Sequence, residues 1–156
     1  MYQRILVPVD GSHTSTLGLQ EAIRIAIDQR ARLRIIHVVD DLVVAQNFEG
    51  FINTGDLLGA LRDAGKKTIQ NALALARKHD VKAEASLFES LGGRVSEFIA
   101  KEAKKWRADL IVMGTHGRRG VTRMVLGSDA EAVLRVTPVP VLLVRSPDRK
   151  KRIGKK

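Results

Sequence analysis

The residues whose types and spacing could do chemistry gather between positions 114 and 130. Gly114-Thr115-His116-Gly117 is followed by nine residues and then by Gly127-Ser128. Glycine lets a ligand approach the backbone closely and takes conformations closed to other residues, and the amides at a helix start favour anions. A segment of this kind, opening a helix at Ser128, is built like a phosphate cradle. Arg118, Arg119 and Arg123 lie in the same stretch and add cations. Standing alone, the segment reads equally well as a glycine-rich turn whose arginines are solvated. A second group is Asp10, which follows the apolar run Ile5 to Val9 and precedes Gly11.

These groups must be held by the elements around them. Residues 4–9 (RILVPV), 32–39 (RLRIIHVV), 108–113 (ADLIVM) and 139–144 (VPVLLV) are short, rich in Val, Ile and Leu, and bounded by Asp, Gly or Pro, so they read as strands. Residues 81–88 alternate, with Val81, Ala83, Ala85 and Leu87 on one side, as in a half-exposed edge strand. Helical spacing joins Leu19, Ala22, Ile23 and Ala26. It recurs along 56–79 through Leu58, Leu61, Thr68, Ile69, Ala72 and Ala76, from Val95 to Trp106, and in a short helix with Ala130, Val133, Leu134 and Thr137. The alternation predicts an α/β fold, a single-domain open five-stranded parallel sheet with helices on both faces. The alternating third strand and the fifth, whose Pro140 cannot donate to a ladder, are the edge candidates. Order 3-2-1-4-5 follows, and the winding reverses between strands one and four. Ligands of open α/β sheets sit at the carboxyl ends of such strands, here Val9-Asp10-Gly11 and Met113-Gly114-Thr115.

The spacing Gly114-x2-Gly117-x9-Gly127-Ser128 resembles the nucleotide-binding motif of the universal stress protein family. MGTHGRRG (113–120), PVPVLLVR (138–145), ILVPVDGS (5–12) and IIHVVD (35–40) resemble further segments of it, so the likeness runs through residues 3–145. The resemblance implies a Rossmann-like fold and an ATP-binding member, with Mg or Mn accompanying the nucleotide. By position, Pro8, Val9 and Asp10 would border the adenosine, Val38 would offer backbone hydrogen bonds to adenine, and Met113 would support the base or ribose. Gly114, Thr115, His116, Gly117, Arg118, Arg119 and Gly120 would wrap the ribose and phosphates. Ser128, Asp129 and Ala130 would complete the cradle, and Gly127 would permit close approach. Asp129 departs from the Val or Thr of many members. A carboxylate beside a triphosphate repels it unless turned away or bridged by a cation, and the favoured role for Asp129 is helix capping. Gly92-Gly93-Arg94 stands where relatives often carry Gly-Pro, with a local consequence for the helix start.

Other sites weigh less. Asp10 resembles the acidic pocket of receiver domains, but Glu89 and Arg145 stand where that family wants Asp and Lys. Gly65-Lys66-Lys67-Thr68 fails the P-loop pattern, because Ala60 replaces the leading glycine and Lys67 the hydroxyl residue, and it reads as an exposed basic helix face. His13, His37, His79 and His116 are too scattered for a metal motif. His116 could touch phosphate or ribose, whereas His37 reads as a packed strand residue. Ser12 reads as a helix-start residue. The long connection 40–55, with Leu42, Val43, Val44, Phe48, Phe51 and Ile52, reads as a lid or partner surface.

Composition bounds the rest. The chain has 156 residues, 44% apolar and 28% charged, with a net charge of +10 and no cysteine. That excludes a natively unfolded basic chain, disulfide scaffolds and thiolate chemistry. Residues 145–156 carry a local +6, leaving +4 for the body, so 1–146 reads as one nucleotide-binding domain and 147–156 as a disordered basic tail without an aromatic residue to stack a base. No apolar run reaches membrane-spanning length and no secretory leader is evident, so a soluble cytoplasmic protein is expected. The expected function is that of an ATP-binding, nucleotide-responsive regulatory module in stress response. At most it hydrolyses ATP or autophosphorylates slowly, with Ser128 the candidate acceptor. Family resemblance implies a homodimer joined through the fifth strands, Val139 to Val144, which would shield an apolar edge. The alternatives are a nucleotide-free protein-interaction module and nucleic-acid association through the tail.

Overall fold

The computed structural model describes residues 1–40, 54–90, 92–115 and 126–146. His116, Gly117, Arg118, Arg119, Gly120 and Arg123, the stretch 41–53 of the long connection, and the tail 147–156 lie outside the described residues.

The elements run β1 (Arg4–Pro8), α1 (His13–Gln29), β2 (Arg32–Asp40), α2 (Thr54–Lys78), β3 (Ala83–Ser90), α3 (Val95–Trp106), β4 (Leu110–Gly114), α4 (Ser128–Val136) and β5 (Val141–Val144). They form one parallel sheet of order β3-β2-β1-β4-β5. This is the order the edge argument requires. Side chains alternate across the strands and so build two cores. Ile5, Val7 and Val9 of the β1 region join Leu33 and Ile35 under α1 and α2, while Leu6, Ile36, Ile111 and Met113 meet Ile99, Ala103 and Trp106 of α3 and Ala130 and Val133 of α4.

Three strands begin two residues later than the apolar runs do, for local reasons. Val81 N donates to Ala76 O and Ala108 N to Ala103 O, so residues 81 and 108 finish the preceding helices before a strand can start. Pro140 has no N–H for the ladder, although its carbonyl accepts from Ile111. At the fifth strand the exposed apolar side chain is Leu142. Val139 and Val141 pack on one core and Val144 on the other.

At the amino ends of the strands, far from the glycine segment, a polar network ties α3 to the sheet. Arg34 Nε and Nη2 donate to Glu102 Oε1 at 3.0 and 2.6 Å, and Nη1 lies 2.9 Å from Glu84 Oε2. Trp106 Nε1 donates to Glu84, and the Arg4 guanidinium stacks 4.9 Å from the Trp106 ring centre.

Candidate functional site

β1 leaves the sheet through a tightly bonded turn. Val9 N donates to Ile36 O at 2.8 Å, and the Val9 carbonyl lies 2.7 Å from Nδ1 of the buried His37. The Asp10 carboxylate accepts from Ser12 N at 2.8 Å, an Asx turn that needs the next residue, Gly11, at φ +80°. Ser12 caps α1 by accepting from Ser15 N at 3.1 Å, and Asp10 N donates to Ser15 Oγ at 3.4 Å. One of the jobs of Asp10 is therefore to build the turn.

β4 ends beside this turn. Its ladder with β1 pairs Ile5 with Leu110 and Leu6 with Ile111 and extends no further toward the carboxyl ends. There α1 crosses over β4 in backbone contact. A Cβ on Gly18 would stand 3.1 Å from Gly114 N, and one on Gly114 would stand 2.8 Å from Thr14 C and 3.0 Å from Ser15 N. Gly114 thus has a packing requirement of its own, apart from any ligand. Thr115 is buried, its N donates to Val144 O at 2.9 Å, and its carbonyl accepts from Gly127 N at 2.8 Å. That last bond joins the two feet of the glycine segment.

Gly127 is the N-cap of α4 and supplies no side-chain cap bond of its own. Asp129 stands in the first turn beside Glu131, where its charge complements the helix dipole, the helix-start role expected for it. Ala130 is buried in the core against α3, so only its backbone is placed to meet a ligand. Met113 is likewise mostly core, and Val38, half-buried, pairs with Phe88 near the end of β2.

The structure therefore brings together Pro8, Val9, Asp10, Met113, Gly114, Thr115, Gly127, Ser128 and Asp129 around the point where the winding reverses. Gly65-Lys66-Lys67-Thr68 lies inside α2 with Lys66 and Lys67 exposed as expected, but Gly65 is buried against His37, and Glu89 is held by Arg62 at 2.7 and 2.9 Å. Sequence reading missed Gly18. A glycine inside a helix costs about 0.5–1 kcal/mol against alanine, so its presence at mid-helix signals a close approach. Between α1 and α2 a separate cleft of about 270 Å³ has Val9, Leu19 and Ala72 in its lining and Lys67 and Asn71 at its rim. It shares Val9 and Gly11 with the turn.

The chain matches the model of the Universal stress protein family over residues 1–145. It is 34% identical over 152 residues to Universal stress protein MJ0531 of Methanocaldococcus jannaschii, spanning 96% of this chain and 85% of that one. The solved structure of hypothetical protein MJ0577 superposes with a TM-score of 0.81 at 26% identity, covering 95% of this chain and 99% of the other. A universal stress protein solved in complex with cAMP shares the fold at a TM-score of 0.63 and 23% identity, covering 92% of this chain and 97% of its own.

Proposed function

This chain belongs to the universal stress protein family, and from that premise we propose that it binds ATP where β1 and β4 part and serves as a nucleotide-responsive regulatory module in stress response rather than as an efficient enzyme. One observation carries the reading. Gly127 N donates to Thr115 O, which sets the start of the glycine segment against the glycine-led N-terminus of α4, while Gly114 lies against the α1 turn that Asp10 opens.

The residues fit such a ligand. Gly127 as N-cap brings no side chain of its own to the first amides of α4, and a helix N-terminus of that kind suits a phosphate. Ser128 and the backbone from Gly114 to Gly120 would hold the ribose and phosphates, Pro8 to Asp10 and Val38 the adenosine. A divalent ion, Mg or Mn, would offset the charge of Asp129 beside them. When bound, ATP supplies a hydrolysable triphosphate. The chain's own part is to bind and orient it, and Ser128, at the head of α4, is the acceptor if autophosphorylation occurs. That a protein of this fold holds cAMP is consistent with this reading, which rests on the loop of this chain.

The test is calorimetric titration with ATP, ADP and AMP, with and without Mg²⁺ or Mn²⁺, after mass spectrometry for nucleotide carried through purification. ATP binding that is lost in Gly117→Val is expected. Bound ATP at about 100 times its Kd should also stabilise the fold by about 2.7 kcal/mol in a melt. No binding and no co-purified nucleotide would leave the family assignment standing and remove the ATP switch. We further propose a cytoplasmic protein that dimerises through β5. Among the described residues no helix is long and apolar enough to cross a membrane.

A further inference from the structure

Resting on the nucleotide reading, we propose that His37 is a positioning residue: its ring N–H grips the Val9 carbonyl and thereby sets where the Asp10 turn stands in the site. Burying an imidazole inside an apolar strand is costly unless its nitrogens are bonded, and His37 is only 5% exposed between Ile36 and Val38. Nδ1 lies 2.7 Å from Val9 O, and a carbonyl only accepts, so the proton of this bond belongs to Nδ1.

Val9 lies one residue past the end of β1, yet both of its main-chain groups are claimed by β2. Its N–H goes to the Ile36 carbonyl and its C=O to the His37 ring. The Val9 carbonyl and the Asp10 amide belong to one planar unit. His37 holds one edge of that plane and Ser15 Oγ, 3.4 Å from Asp10 N, holds the other. Asp10 then closes on Ser12 N and starts α1. The ring itself has little room to turn. A Cβ added at Gly65 of α2 would stand 2.7 Å from its Cδ2 and 3.1 Å from its Nε2, so α2 packs directly on the ring edge. A ring packed in this way holds the residue that follows β1 and so helps to position the turn.

The test compares wild type, His37→Leu and His37→Asn, whose amide nitrogen stands near the position of Nδ1. Amide exchange at Asp10 and Ser12 without nucleotide should speed up about tenfold in the Leu variant and stay within about twofold of wild type in the Asn variant. ATP affinity should follow the same pattern, falling about tenfold for Leu and recovering for Asn. Equal disturbance by both substitutions would make the role one of packing and overturn the proposal, as would unchanged exchange in a folded Leu variant. If wild type binds no ATP, the nucleotide reading fails while the exchange arm still decides the role of His37. Should the Leu variant not fold, the ¹⁵N spectrum of the wild-type ring decides. A proton on Nδ1 supports the proposal and a bare Nδ1 overturns it.

Discussion

At the scale of single residues, two glycines with the same composition value carry opposite consequences. A Cβ on Gly114 would press within 2.8–3.0 Å of Thr14 and Ser15 backbone atoms, which cannot swing aside, whereas one on Gly59 in α2 meets nothing within 4 Å among the described residues. Gly114→Ala should therefore destabilise by about 1–3 kcal/mol and weaken nucleotide binding with it, while Gly59→Ala should stabilise by about 0.5–1 kcal/mol, both read from urea unfolding. Asp129 is a sharper case. In the first turn of α4 its charge favours the helix by about 0.3–1 kcal/mol, so Asp129→Asn should cost that much stability. The same change should strengthen ATP binding measured without a divalent ion, because one negative charge leaves the phosphate end. Unchanged affinity in that titration would mean the carboxylate is turned away from the ligand.

Between elements, the bonds that matter are ionic and unevenly buried. Arg34 and Glu102 join β2 to α3 with side chains 16% and 5% exposed. Removing one partner of such a pair leaves the other charged and desolvated, a loss of about 3–5 kcal/mol. Because Arg34 keeps Glu84 at 2.9 Å, Glu102→Ala should sit near about 3 kcal/mol, and Glu84→Ala, which also takes the acceptor from the Trp106 indole N–H, at about 1–3 kcal/mol, in the same unfolding assay. On the other face Arg62 of α2 forks onto Glu89 of β3. Its hydrogen bonds hold the Glu89 carboxyl below its ordinary value of 4.5. A depressed carboxyl stabilises the fold above the unfolded value and loses that contribution as pH falls through the folded one. Unfolding followed from pH 7 down to 3 should accordingly show Glu89→Gln less sensitive to acid below about 4.5 than wild type, with the whole effect small because the pair faces solvent.

Over the whole molecule, the sheet has one edge that the chain leaves apolar. Leu142 on β5 is 37% exposed, and Leu134 and Val136 on the preceding helix are 44% and 49% exposed. An edge of this kind invites pairing with a second copy. Light scattering should find a dimer for wild type and a shift toward monomer for Leu142→Lys. A wild-type monomer across the concentration range would defeat the fifth-strand contact. The sequence by itself determined the alternation of strands and helices and the parallel order. Those follow from short-range pattern: apolar runs of strand length, helical spacing, and a proline and an alternating strand that suit only edges. The glycines at 114 and 127, which end β4 and lead into α4, were also legible as residues at element ends. Their reasons were not all legible. That Gly114 makes room for Thr14, that Gly18 lies over Met113, that Asp10 bonds Ser12 through its carboxylate, and that His37 grips Val9 across 28 positions are contacts that spacing within one element does not reveal. Sequence spacing carries the period of an element but not which neighbour fills the space above it. That depends on how α1 and α2 settle on the sheet, which only tertiary packing decides.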